Sequence, residues 1–86
     1  MAQTRGFVQR LKVTSTFVMA WAYIGPTPTN TELLIILAPA GLTADEAAFR
    51  GAMVDTLAAA MVNQTELVAS HDDNKAEITQ IQIPPP

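Results

Sequence analysis

The chain contains no cysteine. Disulfides, zinc–thiolate centres and thiol nucleophiles are therefore excluded, and the fold must be held by packing or association. It has a single histidine, which leaves most metal and acid–base schemes without enough members. Charge is scarce as well. Asp, Glu, Lys and Arg make up 15% of the residues, against roughly 25% in ordinary soluble domains. Acid is missing altogether from residues 1–31, which carry Arg5, Arg10 and Lys12, whereas residues 32–86 carry eight acids against Arg50 and Lys75. Three cations make a weak nucleic-acid or membrane patch, and solvation or pairing is the plainer reading.

What is abundant is apolar surface. The 86 residues are 49% hydrophobic, in a chain whose length suggests one domain with a thin core. Residues 83–86 form its proline tail. No apolar run is long enough to span a bilayer as a helix. Ala20-Trp21-Ala22 resembles a signal-cleavage site, but the apolar run around it is short and reads as a strand.

Residues 7–14, FVQRLKVT, alternate imperfectly, with Phe7, Leu11 and Val13 on one face and Arg10 and Lys12 on the other. Residues 17–24 place Phe17, Met19, Trp21 and Tyr23 on one side of a strand and Val18, Ala20, Ala22 and Ile24 on the other. Residues 33–38, LLIILA, are apolar on both faces too. Between these strands, Pro26 and Pro28 are expected to end ladder pairing, leaving a seven-residue connection at 25–31. Thr43 and Glu46 form a capping box for a helix from about residue 44 into the middle or late sixties. Its bulky stripe is Phe49, Met53, Leu57 and Met61, and its small face, with Ala48, Gly51 and Ala52, permits close approach of another element. SHDDN at 70–74 breaks the helix, and residues 77–83 form a last strand with Ile78 facing outward beside Gln80 and Gln82.

The expected fold is α+β: a small antiparallel or mixed sheet in β-β-β-α-β order, with one long helix packed on one face. One helix covers one face of such a sheet, yet the central strands are apolar on both. Each exposed Leu, Ile or Phe would forgo about 1.5–3 kcal/mol. The sheet can curl into a barrel, but four strands are few for closure. Association is the expected answer, as a dimer first and a trimer next, with Phe17, Met19, Trp21 and Tyr23 at the interface.

Candidate chemistry is sparse. His71 with Asp72 and Asp73 has the composition of a metal or general-base site but reads more simply as a solvated loop. Arg50 suits a carboxylate or phosphate, and more simply a pair with Glu46 or a subunit neighbour. Trp21 and Tyr23 suit a ligand pocket or base stacking. Nucleic acid is set aside because no basic residue interleaves with them. The threonine-rich loop 25–31 reads as a stiffened connection, and the sequon Asn63-Gln64-Thr65 falls on the helix. No triad spacing, phosphate loop or metal cluster appears, so neither cofactor nor catalysis is expected. The reading is a non-catalytic, cytoplasmic homo-oligomeric interaction module without membrane or nucleic-acid partner. Its rival is a small-molecule binder or small enzyme with a pocket of Trp21, Tyr23, Arg50 and His71 at a subunit boundary.

Overall fold

The computed structural model describes residues 2–84. Pro85 and Pro86, the end of the proline tail, lie outside the described residues. The elements are β1 (Ala2–Val13), β2 (Val18–Thr27), β3 (Asn30–Leu37), α1 (Ala44–Asn63), β4 (Leu67–His71) and β5 (Ile78–Gln82). They form one five-stranded sheet in the order β3-β2-β1-β4-β5, with antiparallel neighbours throughout. The α+β class and the single helix against one sheet face are as expected. The fifth strand, β4, is new.

β4 exists because the helix stops earlier than its pattern suggests. Gln64 takes the left-handed conformation (φ 52°), and its N–H reaches the carbonyls of Ala60 and Met61. Thr65 N–H donates to the Ala60 carbonyl at 2.9 Å. That closure satisfies the last helical carbonyls and frees 67–71 to enter the sheet. Every residue of β4 is buried, and the strand lies between β1 and β5. The start of α1 matches expectation: Glu46 N–H donates to Thr43 Oγ1 (3.1 Å) and Thr43 N–H to Glu46 Oε1 (3.0 Å).

The extra strand changes how the sheet solves its two-face problem. The terminal strands β3 and β5 run parallel and meet at one bridge, Ile35 with Glu77, where Ile35 N–H donates to the Ala76 carbonyl at 2.8 Å. The sheet thus curls into a partly closed barrel, the solution that four strands had made improbable. Its concave face holds Val8, Ala20, Ala22, Ile24, Leu34, Ile36, Leu67, Ala69 and Ile78, all buried. α1 closes the barrel with Met53, Leu57 and Ala60. The bulky helical stripe is shorter than expected, because Phe49 stays 52% exposed. On the small face Ala48, Ala52 and Ala59 are exposed, and among the described residues no atom outside the local helical backbone lies within 4 Å of where a Gly51 Cβ would sit.

Three local irregularities decide which side chains face in. β1 shifts register between Val8 and Arg10. Before the shift Thr4, Gly6 and Val8 face the core and Phe7 faces out; after it Leu11 faces in. Phe7 and Leu11 therefore do not share a face, contrary to simple alternation. In β5 the shift opposite Ser70 and His71 leaves Thr79 extra, so Ile78 and Ile81 both turn inward. The outward placement of Ile78 is corrected accordingly: it is 3% exposed. In β2 the ladder does not stop at the prolines. Thr27 pairs with Asn30 across the turn at Pro28-Thr29, and Pro26 falls in the irregular stretch between Ile24 and Thr27, where no ladder hydrogen bond is lost.

Candidate functional site

The outward surface of β1 and β2 carries the chain's most concentrated chemistry. It owes its composition to the bulge at Gln9. Thr4 and Val8 are even-numbered and face the core; an unbroken strand would send Arg10 and Lys12 there too, since side chains alternate with a period of two. The extra residue reverses the parity, and Gln9 is held by its Nε2 donating to the Gly25 carbonyl at 3.0 Å. Beyond it, Arg10 pairs with Tyr23 and Lys12 with Trp21. On the other side of β2, Tyr23 pairs with Leu33 and Trp21 with Ile35. Two rungs result, each running cation, aromatic, aliphatic.

The cations lie on the rings. Arg10 Cζ is 5.7 Å from the Tyr23 ring centroid, and Lys12 Nζ is 5.0 Å from that of Trp21. Both distances fall within cation–π range. The aliphatic stems of these long side chains cover part of the ring surface while the charges stay in water. Trp21 and Tyr23 are accordingly half-buried, whereas Leu33 on the same face is 41% exposed. Arg5 faces outward further along β1 and pairs with Glu66 at 3.3 Å. β1 therefore runs as a basic ridge beside the aromatic pair.

This arrangement corrects two sequence expectations. Basic residues do interleave with Trp21 and Tyr23; they come from the neighbouring strand, where sequence adjacency cannot reveal them. The four-residue interface row is also broken. Trp21 and Tyr23 share the outward face, but a register shift between Val18 and Ala20 turns Met19 against the core, and Phe17 precedes β2 with 58% exposure.

The remaining candidates lie elsewhere in the chain. Arg50 Nε donates to the Leu37 carbonyl at 2.7 Å and its Nη1 to the Glu46 backbone carbonyl at 3.2 Å. The expected carboxylate pair does not form, because the Glu46 carboxylate is engaged by the Thr43 N–H. That hydrogen bond, followed by the Thr43 side chain, holds the Glu46 carboxyl below the ordinary glutamate range.

His71 is 5% exposed and sits at one mouth of the barrel. Its Nε2 lies 3.3 Å from Thr4 Oγ1 and 3.7 Å from Glu32 Oε1, and its Nδ1 lies 3.1 Å from the Asp72 carbonyl. Thr4 Oγ1 in turn donates to Glu32 Oε2 at 2.5 Å. Sequence reasoning missed Thr4 and Glu32, which are far from His71 along the chain. The trio has the members of a hydroxyl–imidazole–carboxylate relay in the wrong order. The hydroxyl proton goes to the carboxylate, whereas a nucleophile needs it directed to the imidazole. What the trio does is tie β1, β3 and β4 together across the barrel mouth. Among the described residues, no group of three or more His, Cys, Asp or Glu side chains is placed to hold a metal ion, and no helix is long and apolar enough to cross a membrane.

In comparison with known proteins, no family model, curated protein or solved structure matches the chain.

Proposed function

We propose that the chain is a non-catalytic binding module that holds single-stranded nucleic acid on the outward face of β1 and β2. The observation that carries this reading is the pair of rungs on which Arg10 lies against Tyr23 and Lys12 against Trp21. Proteins that bind single strands without reading sequence combine cations that follow the phosphates with aromatic rings on which bases stack. Both elements are present here within one sheet face. The acids lie mostly in the segments beyond β2, on α1 and around β4 and β5, so the net charge of −3 is not spread over this face. An analogy of architecture overlaps this site at its second strand, since one type of partly open five-stranded barrel presents the face of strands two and three to oligonucleotides and oligosaccharides. Architecture alone does not assign function.

Trp21 is the only tryptophan, so its fluorescence reports directly on the site. Titration with a labelled single-stranded oligonucleotide at low salt should quench Trp21 and raise the label's anisotropy. Two phosphate-neutralising cations at about 0.7 each give a slope of about −1.4 in log Kobs against log salt. Trp21→Ala should weaken binding by about 1–3 kcal/mol for one lost stack. A titration that leaves both signals flat at low salt rejects the reading, and so does binding that is independent of salt.

A second reading is self-association through the same face, which Leu33 and Ile35 favour by continuing each rung with an apolar side chain. It makes the module a homo-oligomer and requires Trp21→Glu to reduce the mass in solution.

A further inference from the structure

Trp21 and Tyr23 stand two residues apart on one face of β2. That puts their backbone positions about 6.8 Å apart, at ~3.4 Å per residue of an antiparallel strand. Arg10 and Lys12 are two residues apart on β1 and repeat the interval. Bases stacked along a nucleic-acid strand follow one another at about 3.4 Å. The two rungs are therefore spaced at about twice the interval of a stacked strand. They also belong to one site, because a single depression of about 180 Å³ is bordered by Arg10, Lys12, Trp21 and Tyr23 together. Among the described residues neither Arg10 nor Lys12 is paired with a carboxylate, so both charges are open to phosphate.

Resting on the nucleic-acid reading above, we infer that the site takes an extended, pyrimidine-rich single strand, with adjacent bases drawn apart and one placed on each ring. Neighbouring bases of a stacked strand are too close together to reach both rings. Alternate bases span the distance, but the helical twist of a stacked strand turns them away from a common face. A strand that keeps its stack therefore gains one ring contact, whereas a strand that opens gains two and loses the stacking between those bases. The loss is large for adenines, which stack strongly on one another, and small for thymine or uracil. A purine also gains more on a ring, but it gives up its neighbours on both sides for that one contact. Preferences of this kind arise from stacking strength and backbone flexibility rather than from hydrogen bonds to base edges.

The test is fluorescence anisotropy on the full chain at low salt, with labelled oligo-dT and oligo-dA of equal length and charge. Oligo-dT should bind about 3–10-fold tighter, the effect of about one stacking step. Oligo-U against oligo-A should give the same ratio, because the preference lies in the bases and not in the sugar. Tyr23→Leu should weaken oligo-dT binding and bring the ratio close to one, since a single ring no longer requires the bases to part. Trp21→Leu should do the same, and circular dichroism identifies which of the two variants keeps the wild-type fold. Arg10→Gln and Lys12→Gln should weaken both ligands alike and leave the ratio as in wild type. Oligo-dA binding as tightly as oligo-dT overturns the inference while the nucleic-acid reading stands. A ratio that survives loss of a ring in a folded variant, or that appears with only one of the two sugars, overturns it as well. If neither oligonucleotide binds, the nucleic-acid reading itself fails and takes the inference with it.

Discussion

Replacing Gly25 by alanine should cost the protein a large part of its stability, although it adds a single methyl group. β1 changes partners at this corner: it pairs with β4 as far as Gly6 and with β2 from Phe7, which stands opposite Gly25. A Cβ on Gly25 would lie 1.9 Å from the Asn30 carbonyl oxygen and 2.8 Å from Thr31 Cα. A Cβ on Gly6, whose φ is +149°, would lie 2.5 Å from the carbonyl carbon of Gly25. All these neighbours are backbone, so no rotamer change relieves the clash and β2 must part from β3. Overpacking of this kind costs about 1–3 kcal/mol, here at the upper end, and a lost ladder hydrogen bond adds about 1 kcal/mol. A loss of about 3–4 kcal/mol lowers the melting temperature of a domain this size by about 12–30 °C. Gly51→Ala is the matched control. Its added methyl meets no atom within 4 Å on a helix, and it should gain about 0.5–1 kcal/mol. Thermal unfolding followed by circular dichroism checks both. If Gly25→Ala melts within about 3 °C of wild type, the two strands are not in close approach at this corner and the reasoning fails.

Leu57 is fully buried where α1 meets the sheet, so Leu57→Ala should cost about 3–4 kcal/mol, read as a lower urea midpoint at unchanged slope. Thr43→Ala removes the N-cap and should cost about 1 kcal/mol, with Thr43→Ser restoring most of it. The Glu46 carboxyl titrates lower in the folded chain than in the unfolded one, so the unfolded state takes up the proton first as pH falls. Its contribution is complete above the ordinary glutamate range and is lost as pH falls through the lowered folded value. The melting-temperature difference between wild type and Glu46→Gln should therefore shrink across that acidic window; a difference that grows there contradicts the assignment.

Local signals in the sequence carried much of the fold. The Thr43–Glu46 capping box marks the start of α1, and the apolar runs at 17–24 and 33–38 mark the cores of β2 and β3. They failed where a residue acts against its habit. Gln64 is not a usual left-handed cap, so the end of the helix, and with it β4, stayed hidden. The prolines of the β2–β3 connection looked like breakers until a bulge gave Pro26 a position needing no donor. Bulges also explain the errors of facing at Phe7, Met19 and Ile78, since alternation is readable only until one residue is inserted.

The candidate site divides along the same line. Trp21 and Tyr23 share a strand face by spacing alone, and composition alone shows the lack of charge that makes an uncovered sheet face costly. The cations on those rings, and the meeting of Thr4, Glu32 and His71, depend on which strands become neighbours. Residues of one strand are related by a fixed period that the sequence carries by itself. Residues of different strands are related only by register and by the closure of the sheet, which the packed chain as a whole decides.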